Sequence, residues 1–290
     1  MIFLTVLLTV FFLCLVFRFL FSEGFGRKNI FDEEKGKSGI NLPVAEEKSI
    51  VSVDGTRLKG YFYPKGKSLV ILLHGYRGNH RQMLPFADYY YNELGCSVLV
   101  PDLRCHGESG GKYISFGCLE REDTVCWIEY IKEMMGENTP VFLHGVSMGA
   151  ATALMTASVS RVCGVISDCS YANGAEIIKK QIKKEYHLPP EPLFFFADKM
   201  MKLKCGHSLY ETDVCSYVKE IRCPVLYIHG EKDDFISSAG VYKLYDHTNS
   251  EKNLWICDGA GHCESALKNR DAYSDRVKGF LSGISGGQTA

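Results

Sequence analysis

The chain opens on an almost unbroken apolar run. Met1–Ser22 reads MIFLTVLLTVFFLCLVFRFLFS, and sixteen residues from Ile2 to Phe21 are Leu, Ile, Phe or Val, with Arg18 the single charge. Each apolar residue contributes roughly −0.3 to −0.6 kcal/mol to membrane insertion, against a cost of about 2.5–3.5 kcal/mol for a central Arg. Arg18 stands near the end, where its stem can snorkel. Twenty helical residues span about 30 Å, the thickness of a hydrocarbon core. The run therefore predicts an uncleaved, single-pass transmembrane helix over 1–22. A cleaved signal peptide fits less well, because no Lys or Arg precedes the run and Ser22-Glu23-Gly24 makes a poor cleavage site. The mixed-charge stretch 23–48 reads as a linker.

Beyond residue 48 the pattern changes to short β-rich runs alternating with longer helical stretches. Ser49–Val53 and Leu58–Tyr63, separated by Asp54-Gly55, predict an opening hairpin. Further strands are predicted at Leu69–Leu73, Ser97–Val100, Val141–His144, Gly164–Ser167, Val225–Ile228 and Leu254–Cys257, and helices at Gln82–Leu94, Leu119–Met135, Ala150–Ser160 and Asp271–Leu281. Several strands are continuous apolar runs, as when helices cover both faces of a sheet. This is an α/β fold with a mostly parallel central sheet, over 49–283. An insertion at about 172–222 predicts a helical cap, and 284–290 a flexible tail. In such folds ligands bind beyond the carboxyl ends of the strands.

Composition narrows the function classes. Across 290 residues, 33 Lys and Arg face 34 Asp and Glu, a formal charge of −1 with no basic run, so a nucleic-acid partner has no electrostatic support. Twelve cysteines fall at irregular intervals without a C-x-x-C pair, which argues against a zinc ribbon or redox pair and for reduced, partly buried thiols. The reading includes no metal and no cofactor.

Four strand ends carry chemistry. After Val141–His144 stands Gly145-Val146-Ser147-Met148-Gly149 and then a helix, which is G-x-S-x-G in its required context. The glycines permit a sharp turn that exposes the Ser147 hydroxyl, and the helix N-terminus offers the Met148 amide to a developing oxyanion. After Leu69–Leu73 comes His74-Gly75-Tyr76-Arg77-Gly78, whose turn presents the Tyr76 amide as a second donor. After Val225–Ile228 comes His229-Gly230-Glu231-Lys232-Asp233-Asp234, with a carboxylate just past a strand. After Leu254–Cys257 comes Asp258-Gly259-Ala260-Gly261-His262, a glycine-rich loop bearing an imidazole. Asp234 is the rival acid. His74, His144 and His229 precede glycines at strand ends, where packing or a backbone hydrogen bond is their simplest role. His106 reads as fixing its own loop, and Asp168 as a structural carboxylate.

With these motifs in place, the chain resembles the α/β-hydrolase superfamily from about Ser49 to Leu281. The nearest likeness is to its serine aminopeptidase or BEM46-like branch, which includes membrane-anchored bacterial esterases. The carrying segments are LLHGYRGN, PDLRCHGESGG, HGVSMGAATAL, PVLYIHGEKDDFI and GAGHCES. The resemblance implies Ser147 as nucleophile, Asp233 as acid and His262 as base, with Tyr76 and Met148 as oxyanion donors. One departure is Cys105, where relatives carry Gly. A serine at the elbow separates this chain from dehalogenases and epoxide hydrolases of the fold, which use Asp, and from dienelactone hydrolases, which use Cys. The implied activity is hydrolysis of carboxylic esters through an acyl-enzyme. Peptidase, amidase or thioesterase action on the same triad stands second, and a non-catalytic binding protein on a hydrolase fold is the alternative of another class. The substrate is a small ester or acyl compound, with Phe194, Phe195 and Phe196 of the cap expected to line an acyl pocket. Arg18, Arg27 and Lys28 follow the apolar run closely, so the positive-inside rule places the domain on the cytoplasmic side.

Overall fold

The computed structural model describes residues 21, 24–27 and 39–287. The predicted anchor at 1–22 lies outside them apart from Phe21. Among the described residues no helix is long and apolar enough to cross a membrane.

An eight-stranded sheet organises the chain. In sequence order its strands are β1 (Glu46–Val51), β2 (Arg57–Tyr63), β3 (Leu69–Leu73), β4 (Ser97–Pro101), β5 (Val141–Val146), β6 (Gly164–Asp168), β7 (Val225–Gly230) and β8 (Lys252–Cys257). In space they run β1-β2-β4-β3-β5-β6-β7-β8. The first two pairings are antiparallel and the remainder parallel, so β3 and β5–β8 all deliver their carboxyl ends to one side. The helices are α1 (Leu84–Asp88), α2 (Cys118–Met135), α3 (Met148–Ala157), α4 (Gly174–Tyr186), α5 (Pro190–Cys205), α6 (Val214–Val218), α7 (Ala239–His247), α8 (Ser265–Lys268) and α9 (Arg270–Gly287).

Strand periodicity explains the two cores. Leu69, Ile71, Leu73 and Leu99 face α2, α3 and α7, while Val70, Leu72, Val98 and Val100 face Tyr90 and the Tyr273, Val277 and Leu281 side of α9. Every residue of α3 is buried, which suits a helix apolar on all sides wedged between sheet and neighbouring helices. A third apolar cluster lies between α4 and α5 and takes in Phe21, Phe25, Ile182, Phe194 and Met201.

Several boundaries differ from the sequence reading. The first strand begins at Glu46 rather than Ser49 and stops at Val51, because the Ser52 backbone turns into the hairpin loop, its amide donating to Thr56 O at 2.8 Å and its carbonyl accepting from Gly55 N at 2.9 Å, while its hydroxyl donates to Asp123. Asp123 in turn accepts from Nε and Nη2 of the buried Arg104 guanidinium, at 2.7 and 2.6 Å, while Nη1 donates to Asp54 at 2.9 Å. The helix expected over Gln82–Leu94 is three pieces: a 3₁₀ turn at His80–Met83, then α1, then a π turn at Tyr89–Glu93 closed by Leu94 N donating to Tyr89 O. The π turn accompanies the burial of Tyr90, whose hydroxyl meets His144 Nδ1 at 2.9 Å. Prolines 190 and 192 occupy the first turn of α5, where a missing N–H costs nothing. The closing helix runs past Leu281 to Gly287.

Candidate active site

Ser147 stands between β5 and α3 with φ 55° and ψ −117°, a conformation that non-glycine residues enter rarely and at a cost of about 1–3 kcal/mol. Its neighbours show how the turn is held. A Cβ on Gly145 would lie 2.1 Å from the Gly149 carbonyl oxygen, and one on Gly149 would lie 2.0 Å from the Leu73 carbonyl oxygen. Both positions are therefore closed to any side chain. The Ser147 amide donates to Asp168 O at 2.8 Å, tying the turn to β6.

Three loops from three strands meet here. His262 Nε2 lies 3.0 Å from Ser147 Oγ, and His262 Nδ1 lies 2.7 Å from Asp233 Oδ2. The other carboxylate oxygen, Oδ1, accepts the amides of Phe235 and Ile236 at 3.0 and 2.8 Å. His229 Nε2 donates to Ile236 O at 2.9 Å and stands 3.3 Å from Asp233 Oδ2. Burial alone would raise the Asp233 carboxyl, but hydrogen bonds from His229, His262 and the Ile236 amide outweigh it and hold it well below the usual carboxylate range. Burial alone would lower the His262 imidazole, but its bond to the Asp233 carboxylate reverses the direction and raises it. Asp234 is exposed on the same turn, and its backbone carbonyl accepts from Lys180 Nζ.

His74, His106 and His144 are held by buried hydrogen bonds. His74 Nε2 accepts the Leu103 amide and His106 Nε2 accepts the Arg77 amide, each at 3.0 Å. Burial brings their values down to about 3 and about 4. His144 sits between the hydroxyls of Tyr90 and Tyr273, and the latter hydroxyl donates to Asp168 Oδ2 at 3.0 Å. Burial raises the Asp168 carboxyl to about 6. Cys105 takes φ 63°, a backbone region that glycine enters freely and cysteine under strain.

Ser147, Tyr76 and Met148 line one cavity of about 460 Å³, and Gly75 packs against Ser147. Met148 is the first residue of α3, where helical amides lack intrahelical partners. The pocket walls differ from the sequence reading. Phe194, Phe195 and Phe196 do not line the cavity: Phe194 is buried against Tyr210, and Phe195 and Phe196 are more than half exposed. The cavity instead meets Leu193 and Ala197, one helical turn apart, together with Ile178, Ile182, Phe116 and Phe25. The isoleucines of EIIKKQIKKEY were a usable signal, since their spacing marks the inner face of α4. Phe25 and Phe116 carry no such signal, because only the fold brings them to the site.

This sheet order, with a serine elbow after β5, defines the α/β hydrolases, and the chain belongs to that family, whose pattern matches residues 70–276. It is similar to the Bacillus subtilis protein YqkD, 33% identical over 240 residues that cover 81% of this chain and 78% of that one. It is also similar to a membrane protein of Saccharomyces cerevisiae, 24% identical over 242 residues, or 81% and 79% of the two chains. Among solved structures it shares its fold with the Pyrococcus furiosus esterase Pf2001, at a TM-score of 0.70 and 23% identity over 88% of this chain and 96% of that one.

Proposed function

We propose that the protein is a serine hydrolase that cleaves carboxylic esters through an acyl-enzyme. The observation that carries the reading is the continuous chain Ser147 Oγ–His262–Asp233, at 3.0 and 2.7 Å, opening onto an apolar cavity. His262 takes the proton from Ser147 as the oxygen attacks the acyl carbon. Asp233 holds Nδ1 protonated, so Nε2 is free to act as base, and its charge stabilises the imidazolium that forms. The Tyr76 and Met148 amides receive the oxyanion, each such donor being worth about 3 kcal/mol. His262 then returns the proton to the leaving alcohol, and water repeats the sequence to release the acid. The apolar wall around Leu193, Ile178 and Ile182 favours an acyl chain over a peptide, and the likeness to an esterase fold points the same way. The run Met1–Ser22 anchors the enzyme to a membrane with its domain on the cytoplasmic side, a reading supported by the apolar pattern, by the flanking Arg and Lys and by the yeast relative.

Fluorophosphonate labelling tests the chemistry. Wild-type chain should take up one label and Ser147→Ala none; label retained on another serine overturns the assignment. Paired p-nitrophenyl esters and p-nitroanilides of one acyl group test the bond, and faster anilide turnover would replace esterase with amidase.

A further inference from the structure

Two cysteines that the proposed mechanism does not use flank its base. Cys169 follows the last residue of β6 and is wholly buried, while Cys263 follows His262 on the β8 loop. Their Sγ atoms lie 3.5 Å apart. The two sulfurs and a ring nitrogen of His262 all fall within 4.8 Å of one another.

The separation of the sulfurs is close to what a tetrahedral thiophilic ion requires, and the nitrogen is near enough to close on them. Zinc sits about 2.3 Å from thiolate and about 2.0–2.1 Å from imidazole, which at tetrahedral angles keeps two sulfurs roughly 3.8 Å apart and sulfur and nitrogen roughly 3.5 Å apart. The sulfurs would have to part by only a few tenths of an ångström and the ring nitrogen to approach them by up to about 1.3 Å, whereas a disulfide at about 2.05 Å would need the sulfurs to close by about 1.5 Å. The surroundings also match. Asp233 accepts from His262 Nδ1 at 2.7 Å, the carboxylate–histidine pairing that orients metal-binding imidazoles and raises their basicity. That contact leaves Nε2 as the nitrogen for a metal, and Nε2 is the atom that faces Ser147 Oγ.

We propose that Cys169, Cys263 and His262 form a three-ligand site for a thiophilic divalent cation such as Zn²⁺, and that occupancy silences the hydrolase by taking the lone pair of its base. Binding makes two metal–thiolate bonds and one metal–imidazole bond and releases two thiol protons to solvent, with no electron transfer. The fourth position stays open for water. The site stands on its ligands alone, and the silencing rests on His262 acting as the base.

Two readouts separate these statements. Co²⁺ is titrated into the full chain in detergent, thiol-reduced and desalted under nitrogen. The expected result is one equivalent bound, with a thiolate-to-cobalt charge-transfer band and the intense visible bands of tetrahedral Co²⁺, and displacement by Zn²⁺. The charge-transfer band should be lost in the Cys169→Ser/Cys263→Ser double variant, and Asp233→Asn should weaken Co²⁺ binding by about 10–100-fold. A weak octahedral spectrum without the thiolate band overturns the site. Ester turnover of each variant is then compared with itself, with and without Zn²⁺. The half-inhibitory Zn²⁺ concentration should rise by about 100-fold or more in the double variant. Equal sensitivity in wild type and double variant overturns the silencing. A chain that binds Co²⁺ through both thiols yet turns over no ester keeps the site and removes the hydrolase reading.

Discussion

Asp233→Asn is the perturbation whose outcome the geometry specifies most closely. Asp233 Oδ1 accepts two backbone amides, so in the variant that position must be the amide oxygen. The –NH₂ group is thereby forced to the Oδ2 position, 2.7 Å from His262 Nδ1. A donor there selects the imidazole tautomer with its proton on Nε2, which cannot accept the Ser147 proton, and the charge that stabilised the imidazolium is gone. In the same arrangement elsewhere this change costs about 10⁴ in kcat, or about 5 kcal/mol at 1.36 kcal/mol per decade. The assay is kcat/KM for p-nitrophenyl acetate and octanoate from pH 5 to 9, with circular dichroism to verify folding. In the proposed mechanism His262 is the neutral base, and Asp233 raises its pKa, so the wild-type acid limb should lie above the ordinary imidazole value of about 6.5. Residual activity of the variant should show that limb displaced downward. Asp234→Asn should leave rate and profile unchanged, since that residue is exposed and the carboxylate bonded to His262 Nδ1 belongs to Asp233. A loss smaller than about tenfold for Asp233→Asn, or equal losses for the two variants, would refute the orientation argument.

Three further tests address the scaffold and the pocket. Gly149→Ala sets a methyl 2.0 Å from the Leu73 carbonyl oxygen, so α3 must shift; stability should fall by about 1–3 kcal/mol in urea titrations, and labelling of Ser147 should slow even where the chain stays folded. Asp123→Ala leaves the buried Arg104 guanidinium only the half-exposed Asp54 and the Ser52 hydroxyl and should cost about 1–3 kcal/mol, while Arg104→Met/Asp123→Leu should recover much of that loss, both read from the denaturation midpoint. Leu193→Trp fills the cavity and should lower octanoyl relative to acetyl ester turnover. Phe195→Ala/Phe196→Ala should leave that ratio unchanged; the reverse ranking would move the acyl pocket to the outer face of α5.

How much of this was legible in the sequence depends on whether a feature is local. The apolar runs of β3 and β5–β7 declare themselves, because strands covered on both sides tolerate little else. The elbow is equally readable: Gly145 and Gly149 flank a serine between strand and helix, and each glycine answers a contact that forbids a side chain. Non-local features are another matter. The Phe194–Phe196 triplet looked like a pocket wall, yet three consecutive helical residues sweep about 200° and cannot share one face. The π turn at Tyr89–Glu93 goes with a tyrosine whose partner, His144, is 54 residues away. Irregular cysteine spacing spoke against a metal site, although Cys169 and Cys263 approach each other from loops 94 residues apart. Such encounters depend on strand order, which no window along the chain contains.

The position of β8 at the sheet margin bears on when the enzyme becomes reactive during its own synthesis. Ser147 precedes His262 by 115 residues, and the imidazole arrives only on the loop that follows the last strand to emerge. Chains are made and fold from the amino end, so the elbow can form while its base is still unmade. Reactivity is thus the final property the chain acquires. With the anchor proposed above, the chain would reach the bilayer surface as an inert scaffold and be armed only when the outermost strand zips onto β7.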